Sequence, residues 1–326
     1  MVDIGDKIKV VVLMGGPSSE YEISLKTGEN VVNHLDKNKY EVESLIISKK
    51  GEWPVEPLSL KKKFDVAFIA MHGPYGEGGI VQSILEEIDL PYTFSDSLSS
   101  ALAMNKYLSL QIFRYYDLDI PYSIVVPKLK WQDMPLVVLN QIKHYLGYPV
   151  VVKPNDNGSS VATFIVDNED SIDNAFNEVF SVSRLALIQP YIYGREVTCG
   201  VLDYGWPESA YALPPTEIIP KKSKFFDYHS KYSLNLADEI TPARFSDPIN
   251  KLIQKIAVKA HKILGCRGLS RTDMIVAKDK KIYILETNTI PGMTNVSLIP
   301  KAAEAAGISF SSLLDRIIQS ALRIRK

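Results

Sequence analysis

The chain has 326 residues, and its 37 lysines and arginines balance 38 aspartates and glutamates, which gives a formal net charge of -1. This balance excludes the strongly basic surface that nucleic-acid or acidic-membrane binding requires, and a hydrophobic content of 46% excludes a disordered chain. The longest uninterrupted apolar run, residues 66–71, is far shorter than the roughly 20 residues of a membrane-spanning helix. Cys199 and Cys266 are too few for a disulfide scaffold, so we expect a reducing, cytoplasmic location.

The first third of the chain predicts a small open α/β domain. Its strands are expected at residues 8–14, 42–47 and 66–71, with a helix from Ser24 toward His34. Continuous apolar runs of this length are typical of buried parallel strands. Ligands of such sheets bind beyond the carboxyl ends of the strands, which is where the segments Gly15-Gly16 and His72-Gly73 fall.

The rest of the chain alternates short strands with helices. Strands are predicted at residues 123–126, 150–153, 163–166, 185–189, 269–276 and 282–286, and helices at 136–145, 171–180, 252–264 and 310–322. Residues 220–238 are polar, aromatic and lysine-rich without a steady period. We therefore predict that they form a long functional loop that closes over a site as a lid.

Oxygen-bearing side chains end the two strands predicted near the C-terminus. Glu286 and Asn288 point to the same face at a period of two, and Asp273 lies on the neighbouring strand. Carboxylate and amide oxygens without histidine or cysteine select Mg²⁺ or Mn²⁺ over zinc. The pattern predicts a hard-cation site, although a strand end with solvated polar side chains would show the same residues.

Three lysines and a glycine-containing loop suggest phosphate binding. Lys106, Lys153 and Lys231 stand where apolar patterns stop, although a lysine in such a place commonly extends its ammonium group to solvent. Residues 155–160 combine Gly158 with serine hydroxyls, which lets backbone N–H groups approach phosphate oxygens. The loop has neither Walker nor Rossmann spacing, and an ordinary hairpin turn would have a similar composition.

In this order, the motifs resemble the D-alanine–D-alanine ligases of the ATP-grasp superfamily. The resemblance covers nearly the whole chain and rests on the following strings: Met14-Gly15-Gly16, Ser19-Glu20-Tyr21-Glu22-Ile23-Ser24, His72-Gly73-Pro74-Tyr75-Gly76-Glu77, Val152-Lys153-Pro154, Gly158-Ser159-Ser160-Val161, Gly194-Arg195-Glu196, Phe226-Asp227-Tyr228, Lys231-Tyr232, Arg271-Thr272-Asp273 and Glu286-Thr287-Asn288-Thr289-Ile290-Pro291-Gly292-Met293-Thr294. It implies an ATP-grasp fold of mixed α/β and α+β class. An N-terminal open α/β domain would span residues 1–94, a central subdomain 95–190, and a C-terminal subdomain with the metal site and the lid 191–326. The resemblance also implies a homodimer.

The same resemblance implies ATP-driven joining of two D-alanine molecules through a D-alanyl phosphate, for peptidoglycan synthesis. Two Mg²⁺ or Mn²⁺ ions would be held by Asp273, Glu286 and Asn288. ATP contacts would come from Lys106, Lys153, Ser159, Ser160, Gln189, Tyr191, Glu196, Lys231 and Asn288. Substrate contacts would come from Glu22, His72, Lys231, Arg271, Gly292, Ser297 and Leu298. The catalytic set would be Glu22, Ser159, Arg271, Tyr232 and Gly292, in which Arg271 and the Gly292 N–H would stabilise the tetrahedral oxyanion.

Two alternatives concern the substrate and the activity. The first alternative is a ligase of the same fold that uses D-lactate or D-serine as its second substrate. Tyr232 favours D-alanine over these substrates. The second alternative is a non-catalytic relative that only binds nucleotide. It is disfavoured because the predicted metal ligands and Arg271 are all present. Gln189 departs from the family, which more often has a glutamate that accepts a hydrogen bond from the adenine amino group, but an amide oxygen can also accept.

Overall fold

The computed structural model describes residues 7–158, 161–221 and 237–323. The strands are β1 (Ile8–Gly15), β2 (Tyr40–Ile47), β3 (Val66–Ile69), β4 (Ile124–Pro127), β5 (Val150–Pro154), β6 (Phe164–Val166), β7 (Leu185–Pro190), β8 (Gly194–Leu202), β9 (Tyr211–Ala212), β10 (Thr216–Pro220), β11 (Ala237–Ile240), β12 (Leu269–Ala277) and β13 (Ile282–Asn288). The α-helices are α1 (Tyr21–His34), α2 (Pro57–Leu60), α3 (Pro74–Glu77), α4 (Ile80–Glu87), α5 (Ser97–Met104), α6 (Lys106–Tyr115), α7 (Lys128–Asp133), α8 (Pro135–Tyr145), α9 (Ile172–Val182), α10 (Asp247–Ile263), α11 (Leu298–Ala305) and α12 (Phe310–Arg323). Every predicted strand is present, and no helix within the described ranges is both long and apolar enough to cross a membrane.

Three parallel strands form the N-terminal sheet in the order β2-β1-β3. The inner strand β1 is buried from Val10 onward, as its continuous apolar run predicts. At its carboxyl end Gly15 adopts a φ of +86°, where an added Cβ would lie 2.5 Å from the carbonyl oxygen of Ile47. Only glycine suits this close approach, and it lets the chain turn directly from β1 toward α1.

The middle sheet is antiparallel, in the order β4-β7-β5-β6. Its registers place Val151 opposite Ile165 on one side and opposite Gln189 on the other. Directly opposite residues of antiparallel strands share a face, so these three side chains form one row. The alternate residues Val150 and Val152 are buried on the other face, in a cluster that includes residues of α8 and α9.

The C-terminal sheet runs β11-β10-β8-β12-β13, with β9 also paired to β8. Strands β12 and β13 are antiparallel neighbours, as predicted. Their register places Asp273 opposite Glu286 but Met274 opposite Ile284, so Leu285 is an extra residue on β13. This bulge redirects the side chains around it, which the regular period of two does not predict.

The hydrophobic clusters combine segments that are far apart in sequence. Helix α12 contributes Ile317 to the cluster that contains Val10 of the N-terminal sheet. Helix α6 contributes Phe113 to the cluster of the C-terminal sheet and α10. Since the packing crosses the boundaries expected near residues 94 and 190, the three-domain division stays a prediction.

A buried polar network connects the end of β8 with α10, β12 and α12. Asp203 accepts hydrogen bonds from the Gly205 N–H at 2.7 Å and Ser320 Oγ at 3.0 Å, and one of its oxygens lies 3.0 Å from His261 Nε2. His261 Nδ1 lies 2.7 Å from Ser270 Oγ. Burial alone would raise the pKa of Asp203, but the hydrogen bonds from His261, Gly205 and Ser320 outweigh it and hold that pKa below its usual value.

Replacement of Asp203 by asparagine is expected to lower the free energy of unfolding at neutral pH by about 2–4 kcal/mol, because the change leaves buried hydrogen-bonding groups mismatched. The ionised carboxylate stabilises the fold above its unfolded-state pKa, and this contribution is lost as the pH falls through the lower folded-state pKa. Urea unfolding at pH 7 and at about pH 3 therefore tests it, and the loss should shrink at the lower pH. Asp133→Asn, at an exposed position, is the control. An equal loss at both pH values would contradict the role of the charge.

Candidate active site

A cavity of about 550 Å³ is lined by residues from all three sheet regions. The N-terminal region contributes Glu20 and His72, the middle sheet contributes Lys153 and Gln189, and the C-terminal sheet contributes Asp273. Ligand sites preferentially occupy such junctions, and this volume is typical of small-molecule and cofactor pockets.

One end of the cavity carries the side chains predicted to bind metal. The register of β12 and β13 pairs Asp273 with Glu286 and Arg271 with Asn288, and all four line the cavity. The Arg271 guanidinium donates to both Asp273 carboxylate oxygens at 2.8 Å, and Thr198 Oγ1 donates to one of them at 2.6 Å. The structure therefore brings the predicted metal set and the predicted oxyanion residue together.

These donors fit a hard cation that arrives with a phosphate ligand. Within the described ranges, no group of three or more histidine, cysteine, aspartate or glutamate side chains is arranged to hold a metal ion. The predicted set instead has two carboxylates and the amide oxygen of Asn288, which already accepts from the Ile290 N–H at 2.8 Å. Mg²⁺ is commonly bound by one or two carboxylates together with substrate phosphates, so Asp273 and Glu286 supply what the protein must contribute.

Two lysines line the cavity together with these carboxylates. Lys106 Nζ is 3.1 Å from Glu286 Oε2 and donates to the Asn157 carbonyl at 2.6 Å. It is the first residue of α6, whose N-cap Asn105 accepts a hydrogen bond from the backbone of that helix. Lys153 lies in β5 between buried Val152 and buried Pro154, and it lines the same cavity. The expectation that these two ammonium groups merely extend to solvent is wrong, because both side chains are buried.

A second end of the cavity is a buried acid and histidine cluster. His72 Nδ1 lies 3.3 Å from Glu77 Oε1, His72 Nε2 lies 2.9 Å from Thr27 Oγ1, and Glu20 lines the cavity beside them. Burial raises the pKa of Glu77. Burial alone would lower the pKa of His72, but its hydrogen bond to Glu77 and the charges of Glu77 and Glu20 outweigh this and raise it. The raised pKa values of Glu77 and His72 both favour a proton shared between these two side chains.

Glu22 does not reach the cavity. Its side chain is 70% exposed and pairs with Lys49 at 3.3 Å. Helix α1 begins at Tyr21, not near Ser24, so Glu22 lies in its first turn on the solvent side. Glu20 precedes the helix, is 3% exposed and lines the cavity. The placement of Glu22 at the substrate is therefore corrected, and Glu20 is the carboxylate that the fold directs inward.

The loop before α11 and the first residue of that helix place Gly292, Ser297 and Leu298 at the wall of the cavity that Arg271 also lines. Ser297 Oγ accepts a hydrogen bond from the Thr294 N–H at 3.0 Å. An added Cβ at Gly292 would lie 2.9 Å from Ser297 Oγ, so the backbone at Gly292 approaches that hydroxyl closely. Gly292 and Ser297 thus lie together, and Leu298 follows Ser297 directly in the chain.

The remaining predicted residues divide into two groups. Gln189, Tyr191 and Glu196 line the cavity, as do Val151 and Ile165, which form the part that we call its apolar end. Gln189 lies opposite Val151 in the middle sheet. Ser159, Ser160, Lys231 and Tyr232 lie outside the described residues, as does most of the predicted lid, residues 222–236. Each side of that gap is anchored, because Pro220 pairs with Ala237 in the β10–β11 ladder.

Several cavity residues were not predicted as site residues. Glu77 ends the motif that begins at His72, and the spacing of five residues between them is a sequence signal for contact across α3. Leu285, the extra residue at the bulge, lines the cavity beside Glu286. Glu217 is buried between Arg195 at 2.6 Å and Arg244 at 3.2 Å. Burial alone would raise the pKa of Glu217, but its bonds to the two arginines lower it.

Two antiparallel sheets around a cavity of this kind, beside an open parallel sheet, define the ATP-grasp class of enzymes. Sequence comparison matches residues 112–319 to the family model "D-ala D-ala ligase C-terminus" and residues 9–60 to "D-ala D-ala ligase N-terminus". The chain therefore belongs to the D-alanine–D-alanine ligase family and is a ligase.

Individual relatives agree with this assignment over nearly the full chain. A D-alanine–D-alanine ligase of Syntrophobacter fumaroxidans is 45% identical and covers 97% of this chain and 98% of its own, and one of Clostridium beijerinckii is 40% identical over 98% and 100%. Among solved structures, the VanG D-Ala:D-Ser ligase of Enterococcus faecalis has a TM-score of 0.86 at 30% identity, covering 97% and 100%. The Bacillus anthracis D-alanine–D-alanine ligase complexed with ATP has a TM-score of 0.80 at 36% identity, covering 98% and 99%.

Proposed function

We propose that the chain joins two D-alanine molecules at the expense of ATP, through a D-alanyl phosphate, and that the dipeptide serves peptidoglycan synthesis. One observation carries the proposal: a single cavity connects a cluster of lysines and carboxylates, suited to a triphosphate, to a buried acid and histidine cluster, suited to a small amino acid. Arg271 is linked to both clusters, because its guanidinium pairs with Asp273 at 2.8 Å and its charge acts on His72. A phosphoryl group and an amino acid carboxylate would therefore come together beside its guanidinium.

At the phosphate end, Lys106 and Lys153 would contact phosphate oxygens, and Asp273, Glu286 and Asn288 would hold Mg²⁺ or Mn²⁺. When bound, the cation neutralises charge on the transferring phosphoryl group. Lys106 and Arg271 already neutralise Glu286 and Asp273 in the protein alone. These carboxylates would therefore exchange protein partners for the cation as ATP binds, while the lysine and arginine turn to the substrate oxygens.

At the amino acid end, Glu20 would pair with the ammonium group of the first D-alanine, with His72 near its carboxylate. Attack of the second amine on the acyl phosphate forms the C–N bond and a tetrahedral oxyanion, which collapses to the dipeptide as inorganic phosphate leaves and the nitrogen loses a proton. Arg271 and the Gly292 N–H would stabilise this oxyanion as fixed donors in a largely buried site. Ser297, Leu298 and Lys231 would receive the second D-alanine, and Ser159 and Tyr232 would complete the catalytic set.

At the nucleotide end, Gln189 and Tyr191 would border the base, Ser160 would contact phosphate, and Glu196 would bind the ribose hydroxyls. The Bacillus anthracis structure with ATP supports nucleotide binding at this fold. The alternative is D-serine as second substrate. It is supported by the structural similarity to the D-Ala:D-Ser ligase of Enterococcus faecalis. The mass of the product distinguishes D-alanyl-D-alanine from D-alanyl-D-serine. It also identifies D-alanyl-D-lactate, the product expected if D-lactate were the second substrate.

The proposal includes a homodimer in the cytoplasm. The resemblance supports the dimer, and Cys199 and Cys266, which are buried and free, support a reducing location. Sedimentation of the purified protein tests the dimer.

A matched pair of variants tests the amino acid end. Glu20→Gln is expected to raise the KM for D-alanine at least about tenfold, because it removes the charge opposite the substrate ammonium group. Glu22→Gln should stay close to wild type, since its carboxylate is exposed and faces Lys49. The measurement is phosphate release from ATP against D-alanine concentration. The opposite order of effects would overturn the assignment of Glu20 and restore Glu22.

A further inference from the structure

A row of side chains crosses the middle sheet beneath the apolar end of the cavity. The registers align Ile165, Val151 and Gln189, and continuing the β4–β7 ladder one step beyond the Ile124–Ile188 pair places Ser123 opposite Gln189. Ile165, Val151 and Gln189 line the cavity. The row is thus a flat aliphatic floor with a single amide at its end, which matches the shape of a heteroaromatic base with a polar edge.

The amide of Gln189 has a fixed orientation. Gln189 Nε2 donates to Ser123 Oγ at 2.9 Å, and Ser123 Oγ donates to the Pro121 carbonyl at 2.9 Å. A serine hydroxyl has one proton, and Pro121 receives it, so Ser123 can only accept from Gln189. A reversed amide would set two acceptors against each other or leave the Pro121 carbonyl without its donor. Oε1 is therefore the group that the amide presents to the cavity.

This orientation matters because a glutamine, unlike a glutamate, can either donate or accept. With Oε1 toward the cavity, the site accepts a hydrogen bond from an exocyclic amino group. With the amide reversed, it would donate to a ring carbonyl instead. The choice between a 6-aminopurine and a 6-oxopurine thus depends on a residue that lies one strand away from the base.

We infer that Ser123 is a positioning residue that holds Gln189 as a hydrogen-bond acceptor and so makes the nucleotide site selective for 6-aminopurines over 6-oxopurines. The inference deepens the proposed function and rests on it for the nature of the nucleotide. Its chemistry requires only that a purine ring lies on the Ile165–Val151 floor with its six-position toward Gln189.

Binding of Mg²⁺-ADP and Mg²⁺-IDP, measured by calorimetry without D-alanine, tests the inference. ADP and IDP differ at the purine six-position and the adjacent ring nitrogen and share ribose and phosphates. Wild type should prefer ADP, and Ser123→Ala should lower the ratio of the two affinities by about tenfold, because the amide can then reverse. Ser123→Thr keeps the hydroxyl and should restore the preference. Ser171→Ala, an exposed serine outside the cavity, is the control and should leave the ratio unchanged.

A second background separates positioning from general damage. In Gln189→Glu the side chain can only accept, so adding Ser123→Ala should no longer change the ADP to IDP ratio. An unchanged ratio in Ser123→Ala alone, or an equal drop in the Gln189→Glu background, would overturn the inference. A protein that binds ADP selectively in this way but releases no phosphate with D-alanine would overturn the proposed function and leave the role of Ser123 standing.

Discussion

Arg271→Met is expected to lower kcat by about 100-fold or more, with a much smaller change in the KM for ATP. Methionine keeps the length and apolar bulk of the side chain but removes its hydrogen-bond donors. If those donors act on the developing oxyanion, their loss costs energy only in the transition state. Lysine should substitute poorly, because it lacks the planar guanidinium group that donates hydrogen bonds to both carboxylate oxygens of Asp273.

Arg114→Met is the matched control for this replacement, because Arg114 is exposed on α6 and lies outside the cavity lining. Steady-state kinetics with ATP and D-alanine varied separately give both constants. A raised KM for ATP at unchanged kcat would show that Arg271 binds nucleotide and has no role at the oxyanion.

Glu286→Gln is expected to lower turnover by at least about 1000-fold at a moderate Mg²⁺ concentration, because it removes one of the two carboxylates available to the cation. It also removes the ion pair with Lys106, whose Nζ lies 3.1 Å away. A weakened metal site should respond to a higher Mg²⁺ concentration, so part of the activity should return as Mg²⁺ is raised. A damaged fold would not respond in this way.

Glu304→Gln, at an exposed position on α11, controls for the loss of one charge. Activity titrated with Mg²⁺ and Mn²⁺, together with a far-ultraviolet spectrum of each variant, separates metal binding from folding. Near-normal turnover of Glu286→Gln at every metal concentration would remove Glu286 from the metal set.

The strands, and the meeting of Asp273, Glu286 and Asn288 at one end of the cavity, could be predicted because their information is local. Apolar runs identify buried strands, and the period of two places Glu286 and Asn288 on one face. The pairing of β12 with β13 then follows from their short connection. No information from distant parts of the chain is needed to predict that the polar residues at the ends of these two strands lie together.

The errors have physical causes in particular residues. The start of α1 decides which glutamate faces inward, and the region lacks a clear signal because Glu20, the N-cap, makes no side-chain capping hydrogen bond. The bulge at Leu285 depends on pairing across strands. The return of α12 to the N-terminal region places Ile317 in the same hydrophobic cluster as Val10, and no local pattern records this association between distant parts of the chain.

The most direct test of the proposed function is ATP turnover by the purified protein with D-alanine, with the product identified by mass. The proposed function predicts phosphate release that requires both D-alanine and a divalent cation, no stimulation by L-alanine, and one D-alanyl-D-alanine formed for each phosphate released. Phosphate release that is independent of D-alanine, or a dipeptide mass that appears only when D-serine is supplied, would contradict it.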